Sequence, residues 1–363
     1  MENLVLYRKY RPQTFSDVVG QEYVIKTITG AIKNNDFAHA YLFSGPRGTG
    51  KTTLARLLAK SLNCENRKNG EYAPCEKCVS CSEISKGVSV DIIEIDAASH
   101  RGIDEIRQLK ENIRFVPTRG KFKVYIIDEV HMLTKEAFNA LLKTLEEPPT
   151  HAIFIMATTE LKKVIPTIIS RSQKFEFRKL TRGEIANRLR LLMTKEKKEI
   201  DSAVLETISA RAGGSIRDAE SMLGQIMSLP EINIENTKNL LGFADFSEIA
   251  QFIRFLVDSD KKNAFAFISE GVSKGYDSED FIKNILNYLR FVMYLKVDEQ
   301  LSEIILREMS PEEFEDLKEI AAKFELPRLE KAFRLFLDAS ANIKYSPIAE
   351  LPAELAVFRL FEN

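Results

Sequence analysis

A chain of 363 residues, 44% hydrophobic and 29% charged, is long enough for two or three domains with sizeable cores. Its formal net charge of −1 excludes a bulk polycation, so any nucleic-acid partner must be gripped by local clusters or helix N-termini. No stretch approaches a transmembrane span, Met1-Glu2-Asn3-Leu4 does not open a signal peptide, and a cytoplasmic protein without membrane contact is expected.

The start, from Tyr7 through Tyr10, Arg11 and Pro12 to Val18, Val19 and Gln21, reads as a basic, proline-kinked surface arm. Val24, Ile28 and Ile32 then recur at helical spacing. His39 to Ser44 predicts an apolar strand running into Gly45-Pro46-Arg47-Gly48-Thr49-Gly50-Lys51-Thr52, which fits G-x-x-x-x-G-K-[ST]. Thr53 to Leu62 predicts the helix that follows. In that context glycines let backbone N–H groups turn toward phosphates, and the helix N-terminus adds its positive end. Lys51 is expected to reach the β/γ-phosphates, and Thr52 to offer Mg²⁺ a hydroxyl.

All four cysteines fall together, as Cys64-x10-Cys75-x2-Cys78-x2-Cys81. A disulfide pair is unexpected in a reducing cytosol. Four thiolates on this spacing suit a structural zinc site with no open position for water. Free thiols and an iron–sulfur cluster are the alternatives, although the upstream ligand is not at the usual cluster spacing.

Val90 to Asp96 predicts a second strand, followed by a helix whose exposed first turn carries Arg101. That turn is either a solvated face or a contact to a phosphate backbone. Lys123 to Glu129 is a nearly continuous apolar run ending in two carboxylates, as a strand buried on both faces requires. Asp128 is expected to help hold Mg²⁺, and Glu129 to orient and deprotonate the attacking water. A helix over 134–146 and a buried strand over 152–157 follow, the strand tipped by Thr158 and Thr159. Either threonine stands where a γ-phosphate contact is needed, or the two cap the next turn. With a last strand at 174–177, the alternation of strands and helices predicts an open α/β sheet.

From Thr181 onward the pattern is wholly helical. Helices are expected at 181–198, 201–212 and 215–228, with Ser215 as a cap and Arg217 in the first turn. An arginine there opposes the helix dipole, which suggests an anionic partner or a plain surface residue. Beyond Gly242 come amphipathic helices at 246–257, 261–274, 278–297, 299–307, 311–325 and 327–343, then a short one within 347–361. The stripe Ile282, Ile285, Leu289 and Val292 reads as core.

Several of these segments together resemble the γ/τ clamp-loader subunits of bacterial DNA polymerase III, which are AAA+ ATPases. The resemblance is carried by Tyr10-Arg11-Pro12-x-x-Phe15, the glycine loop, the four-cysteine insert and Asp96-Ala97-Ala98-Ser99. It continues through Asp128-Glu129-Val130-His131-Met132-Leu133, Ala157-Thr158-Thr159, Ser170-Arg171-Ser172 and Gly214-Ser215-Ile216-Arg217-Asp218-Ala219. It covers roughly 1–242; the remainder matches in length and helical character alone. Ser172 departs from the family's usual cysteine.

The resemblance implies an α/β P-loop AAA+ domain with a zinc-binding insert (1–178), a small helical lid (179–242) and an all-α collar for oligomerisation (243–363). It implies that Arg171 is an arginine finger acting on a neighbouring subunit's ATP, and that Arg217 senses the γ-phosphate of its own. Thr158 or Thr159 would be the first sensor, Thr159 slightly favoured. Tyr10, Arg11, Pro12, Val18 and Val19 would line the adenine pocket, and the helix near Arg101 would face DNA. The implied function is the ATP-hydrolysing motor of a hetero-pentameric clamp loader, working with other clamp-loader subunits, a sliding clamp and primed-template DNA. Two other classes stand beside it: a hexameric DNA motor of the branch-migration type, and a catalytically silent scaffold subunit. The insert and purely helical third region disfavour the first, and intact Lys51, Thr52, Asp128 and Glu129 disfavour the second.

Overall fold

The computed structural model describes residues 5–99, 109, 111–113, 115–241, 246–298, 301–306 and 309–362. The expected helix start at Arg101 and the boundary at Gly242 lie outside the described residues. The chain divides into two compact units: Met1–Leu192 with Ala212–Ser221, and Met193–Arg211 with Met222–Asn363.

The first unit is built on five parallel strands: β1 (Ala40–Ser44), β2 (Ile92–Asp96), β3 (Lys123–Asp128), β4 (Ala152–Thr158) and β5 (Gln173–Glu176), in the order β2-β3-β4-β1-β5. Successive side chains point to opposite faces, so each central strand feeds two cores. Tyr41, Phe43, Val124, Ile126, Ile153 and Ile155 pack against Val24, Ile28 and Ile32 and against Leu54 and Leu58 of the helix after the glycine loop. Leu42, Tyr125, Ile127, Phe154 and Met156 pack the other way, against Phe138, Leu141 and Leu145. Every residue of β4 is buried, which is why its sequence reads as an unbroken apolar run.

Several helix ends are set by local chemistry. Thr134 caps Lys135–Glu146 by accepting from the Ala137 N–H at 3.2 Å. Ser215 accepts from the Asp218 N–H at 3.3 Å at the head of Ile216–Ile226. Cys78 caps Val79–Lys86 through its sulfur, which accepts from the Cys81 N–H at 3.4 Å. That last helix and Ile234–Leu241 are additions to the elements expected from sequence, and the helix after the glycine loop starts at Lys51 rather than Thr53. Each of these two is only eight residues long. At that length the apolar period is too brief to register, and neighbouring structure decides.

In the second unit Ile282, Ile285, Leu289 and Val292 are buried, as their spacing predicts. They join a cluster centred on Phe252, whose ring meets those of Phe267, Phe281 and Phe336 at centroid distances of 5.6, 5.2 and 6.3 Å. Among the described residues no helix is long and apolar enough to cross a membrane.

Candidate active site

Ser44, Asp128 and Thr158 end adjacent strands on one edge of the sheet, at the carboxyl ends where open α/β sheets bind ligands. The glycine loop leaves β1 there. Gly45 has φ 144°, and a Cβ on it would collide with the Phe177 carbonyl. Gly48 has φ 74°, and a Cβ on it would collide with Ser215 Oγ. Gly48 O also accepts from the Ile216 N–H at 3.1 Å, so the loop is fastened to the turn that carries Arg217. Thr49 Oγ1 closes the loop on itself by donating to Pro46 O at 2.9 Å, while Arg47 is exposed.

Lys51 opens its helix and is buried. Its ammonium donates to Gly45 O and Pro46 O, both at 2.7 Å. Burial holds its pKa below the ordinary lysine value, against the opposing pull of Glu129 and Asp128. Thr52 Oγ1 donates to Asp128 Oδ2 at 2.7 Å. A hydroxyl and a carboxylate oxygen in contact, beside a buried ammonium, form a hard oxygen pair that suits Mg²⁺.

Glu129 stands in the left-handed region at φ 47°, strain that local function often accompanies. Its Oε2 accepts from the Thr159 N–H at 3.2 Å and the Thr159 hydroxyl at 2.9 Å. Thr158 is fully buried, and its Oγ1 lies 3.0 Å from His131 Nδ1. His131 Nδ1 is also 3.3 Å from Glu129 Oε2, and its Nε2 is 3.4 Å from Glu160 Oε1. Thus the structure brings Lys51, Thr52, Asp128, Glu129 and both threonines to one edge of the sheet. His131 has no expected role from sequence; a histidine two residues beyond the second carboxylate was the available signal.

Arg171 follows the short helix Pro166–Ile169. Its guanidinium donates to Glu146 Oε1 at 2.6 Å, Thr167 O at 3.0 Å and Ser170 Oγ at 3.4 Å, none of them phosphate-loop residues. It lines an open cleft with His39, Leu145, Glu146 and Ser170. Ser172 donates to Ile168 O at 2.8 Å, a bond its hydroxyl makes within the turn.

The N-terminal arm is fixed from behind. Phe15 is buried, and Val18 packs at the margin of the same cluster. Tyr10, Arg11, Pro12 and Val19 remain half-buried. Arg188 Nη2 donates to Tyr10 O at 2.6 Å, and its Nε donates to Glu220 Oε1 at 2.9 Å. Gln21 pairs with both backbone groups of one residue, donating to Arg178 O at 2.8 Å and accepting from the Arg178 N–H at 3.1 Å. Neither Arg188 nor Gln21 is marked by any sequence motif considered above.

The Sγ atoms of Cys64, Cys75, Cys78 and Cys81 all lie within 4.8 Å of one another. Zinc–sulfur bonds of about 2.3 Å in a tetrahedron set sulfurs about 3.8 Å apart, so the donor set fits this metal. The Cys75 N–H donates to Cys64 Sγ at 3.2 Å, and the Cys78 N–H to Cys75 Sγ at 3.3 Å. Burial pushes the Cys64 and Cys81 thiols up. Burial acts the same way on Cys75, but N–H groups of Lys77 and Cys78 and the thiols of Cys64 and Cys78 outweigh it and bring that group down to about 6.

Two family models match the chain. One, described as "DNA polymerase III, delta subunit", covers residues 20–181, and another, "DNA polymerase III subunits gamma and tau domain III", covers 232–363. DNA polymerase III subunit gamma of Buchnera aphidicola subsp. Schizaphis graminum is 37% identical across 99% of this chain and 98% of its own. DNA polymerase III subunit tau of Bacillus subtilis is 42% identical across 88% of this chain and 57% of its own, and that of Escherichia coli is 36% identical across 99% and 55%. The chain therefore spans little more than half the length of these tau relatives and nearly all of the gamma relative. Among solved structures, the RuvB Holliday junction branch migration motor of Thermotoga maritima matches with a TM-score of 0.48 and 20% identity over 68% of this chain and 79% of its own, a likeness too slight to argue from.

Proposed function

The chain belongs to the gamma/tau family of DNA polymerase III subunits, and from that premise we propose that it is the ATP-hydrolysing motor subunit of a clamp loader. The observation that carries the ATPase reading is the Thr52–Asp128 contact at 2.7 Å beside buried Lys51, with Glu129 held by Thr159 at 2.9 Å. Gly45, Pro46, Arg47, Gly48, Thr49, Gly50, Thr52 and Thr53 line the triphosphate site, and Lys51 offsets its charge. Thr52 and Asp128 hold Mg²⁺, whose chemistry there is to neutralise charge on the phosphates. Glu129 orients and deprotonates the attacking water, and Thr159, bonded to it, is the better placed of the two threonines to relay the state of the γ-phosphate. Tyr10, Arg11, Pro12, Val18 and Val19 receive the adenine.

Arg217 reads the phosphates of its own subunit from a lid fastened to the loop at Gly48. Arg171, whose bonds lie elsewhere in its own chain, serves a neighbour, which makes hydrolysis depend on assembly. On this reading 1–178, 179–242 and 243–363 are nucleotide-binding, lid and collar domains in a cytoplasmic hetero-pentamer that acts on a sliding clamp and primed-template DNA. Cys64, Cys75, Cys78 and Cys81 hold zinc, whose part is to order a segment too polar to form a core.

Steady-state ATP turnover after reconstitution with other clamp-loader subunits tests the assignment. Turnover is expected to rise mainly with clamp plus primed template and to collapse in Arg171→Ala. Equal stimulation by any duplex, with movement along it, would make the chain a translocating motor. No turnover in any mixture would make it a scaffold.

A further inference from the structure

Arg217 ends on an aromatic ring. Its stem lies against the phosphate loop, with Arg217 Cβ 3.4 Å from the point where a Gly48 Cβ would stand. Its guanidinium carbon is 5.0 Å from the ring centroid of Tyr7, in the short helix Leu6–Lys9. The Arg8 guanidinium carbon stands farther from the same centroid, at 5.9 Å. The Arg217 guanidinium, and to a lesser degree that of Arg8, holds the Tyr7 phenol below its ordinary pKa. The arm that carries the ring is anchored close by. Three residues on, the Tyr10 carbonyl is held by Arg188 at 2.6 Å, and Arg188 is paired at 2.9 Å with Glu220, one turn beyond Arg217 on the same helix. The arm and the lid thus meet at Tyr10 and at Tyr7.

We propose that Tyr7 is a positioning residue that sets the preference of the site for ATP over ADP, by seating the Arg217 guanidinium until a γ-phosphate takes it. The inference rests on the reading of Arg217 as a γ-phosphate contact. A guanidinium on a phenol face is held weakly beside one paired with a multiply charged phosphate oxygen, so the exchange runs toward the nucleotide. The ring nevertheless subtracts from the affinity, because its hold must be released first. ADP, lacking the γ-phosphate, draws nothing from Arg217 and leaves the seat filled. A cation–π contact at an exposed site corresponds to about a 2- to 5-fold change in a binding constant.

The test is a titration of the full chain with ATPγS and with ADP, both with magnesium. In Tyr7→Leu, ATPγS is expected to bind about 2- to 5-fold tighter, with ADP unchanged. In an Arg217→Ala background the same substitution should alter neither. A second readout uses ¹³C-labelled tyrosine, the Tyr7 ring signal being identified by its loss in Tyr7→Leu. ATPγS should shift that signal toward its position in Arg217→Ala, and ADP should not. Weaker ATPγS binding in Tyr7→Leu, equal changes for both nucleotides, or an effect that survives Arg217→Ala would overturn the seat while leaving the role of Arg217 intact. If Arg217→Ala by itself leaves the ATPγS-to-ADP ratio unchanged, the γ-phosphate reading fails, and the inference with it.

Discussion

Replacing Arg188 by methionine should unfold the first unit at a markedly lower temperature, by a pH-dependent amount. The Arg188 and Glu220 side chains are 4% and 6% exposed, and their contact is 2.9 Å. Methionine keeps the apolar stem of arginine but removes the charge, leaving the Glu220 carboxyl buried without its cation. Breaking a buried pair from one side costs about 3–5 kcal/mol. For a unit of this size each kcal/mol moves Tm by about 2–4 °C, so the expected loss is about 6–20 °C at neutral pH. Burial already raises the Glu220 pKa, and Arg188 restrains that rise; in the variant it goes further. A carboxyl whose folded pKa lies above its unfolded value binds its proton more readily when folded, so stability falls as pH rises through that window. The deficit should therefore be largest at pH 7–8 and shrink toward pH 4–5. Calorimetry on wild type, Arg188→Met, Glu220→Leu and the double variant measures this. The double variant should recover most of the loss, since an apolar pair can replace a buried ion pair at little cost. Wild-type melting in Arg188→Met, or a double variant that loses the sum of both singles, would refute the reasoning.

Three further outcomes are expected. Asp91 is buried and accepts the N–H groups of Thr118, Arg119 and Gly120 at 2.7, 2.9 and 2.7 Å, which outweigh burial and hold its pKa below the ordinary value. Asp91→Asn should cost about 1–3 kcal/mol in urea melts at neutral pH. Because the folded pKa lies below the unfolded one, the wild-type advantage is present above about pH 4 and lost as pH falls through the folded value; an advantage that persists at pH 2 would count against this account. Purified protein should carry one zinc per chain, and chelation or Cys81→Ser should lower Tm by several degrees; metal analysis finding no zinc, or an unchanged melt, removes the metal. Glu129→Gln should bind ATP with near-wild-type affinity while turnover drops about 10²- to 10⁴-fold, and unimpaired turnover would take Glu129 out of the mechanism.

What the sequence determined by itself was local. The glycine loop and the apolar runs of β1, β3 and β4 each lie within a few residues and the four cysteines within one short stretch, where dihedral limits, side-chain period and ligand spacing leave few alternatives. The same holds for the stripe through Ile282 and Val292, whose period is that of a helix buried on one face. Tertiary structure decided the partners. Arg188 and Tyr10 are 178 residues apart, Arg188 and Glu220 32, His131 and Thr158 27, and Arg171 and Glu146 25. No periodicity links such positions, because each contact follows from where the sheet and the helices Arg182–Glu196, Lys135–Glu146 and Ile216–Ile226 place a side chain. A buried arginine in the middle of Arg182–Glu196 reads in sequence as one more charge on a helix. Only folding removes it from water, and a buried charge must then be paired, which gives it Glu220 and the Tyr10 carbonyl.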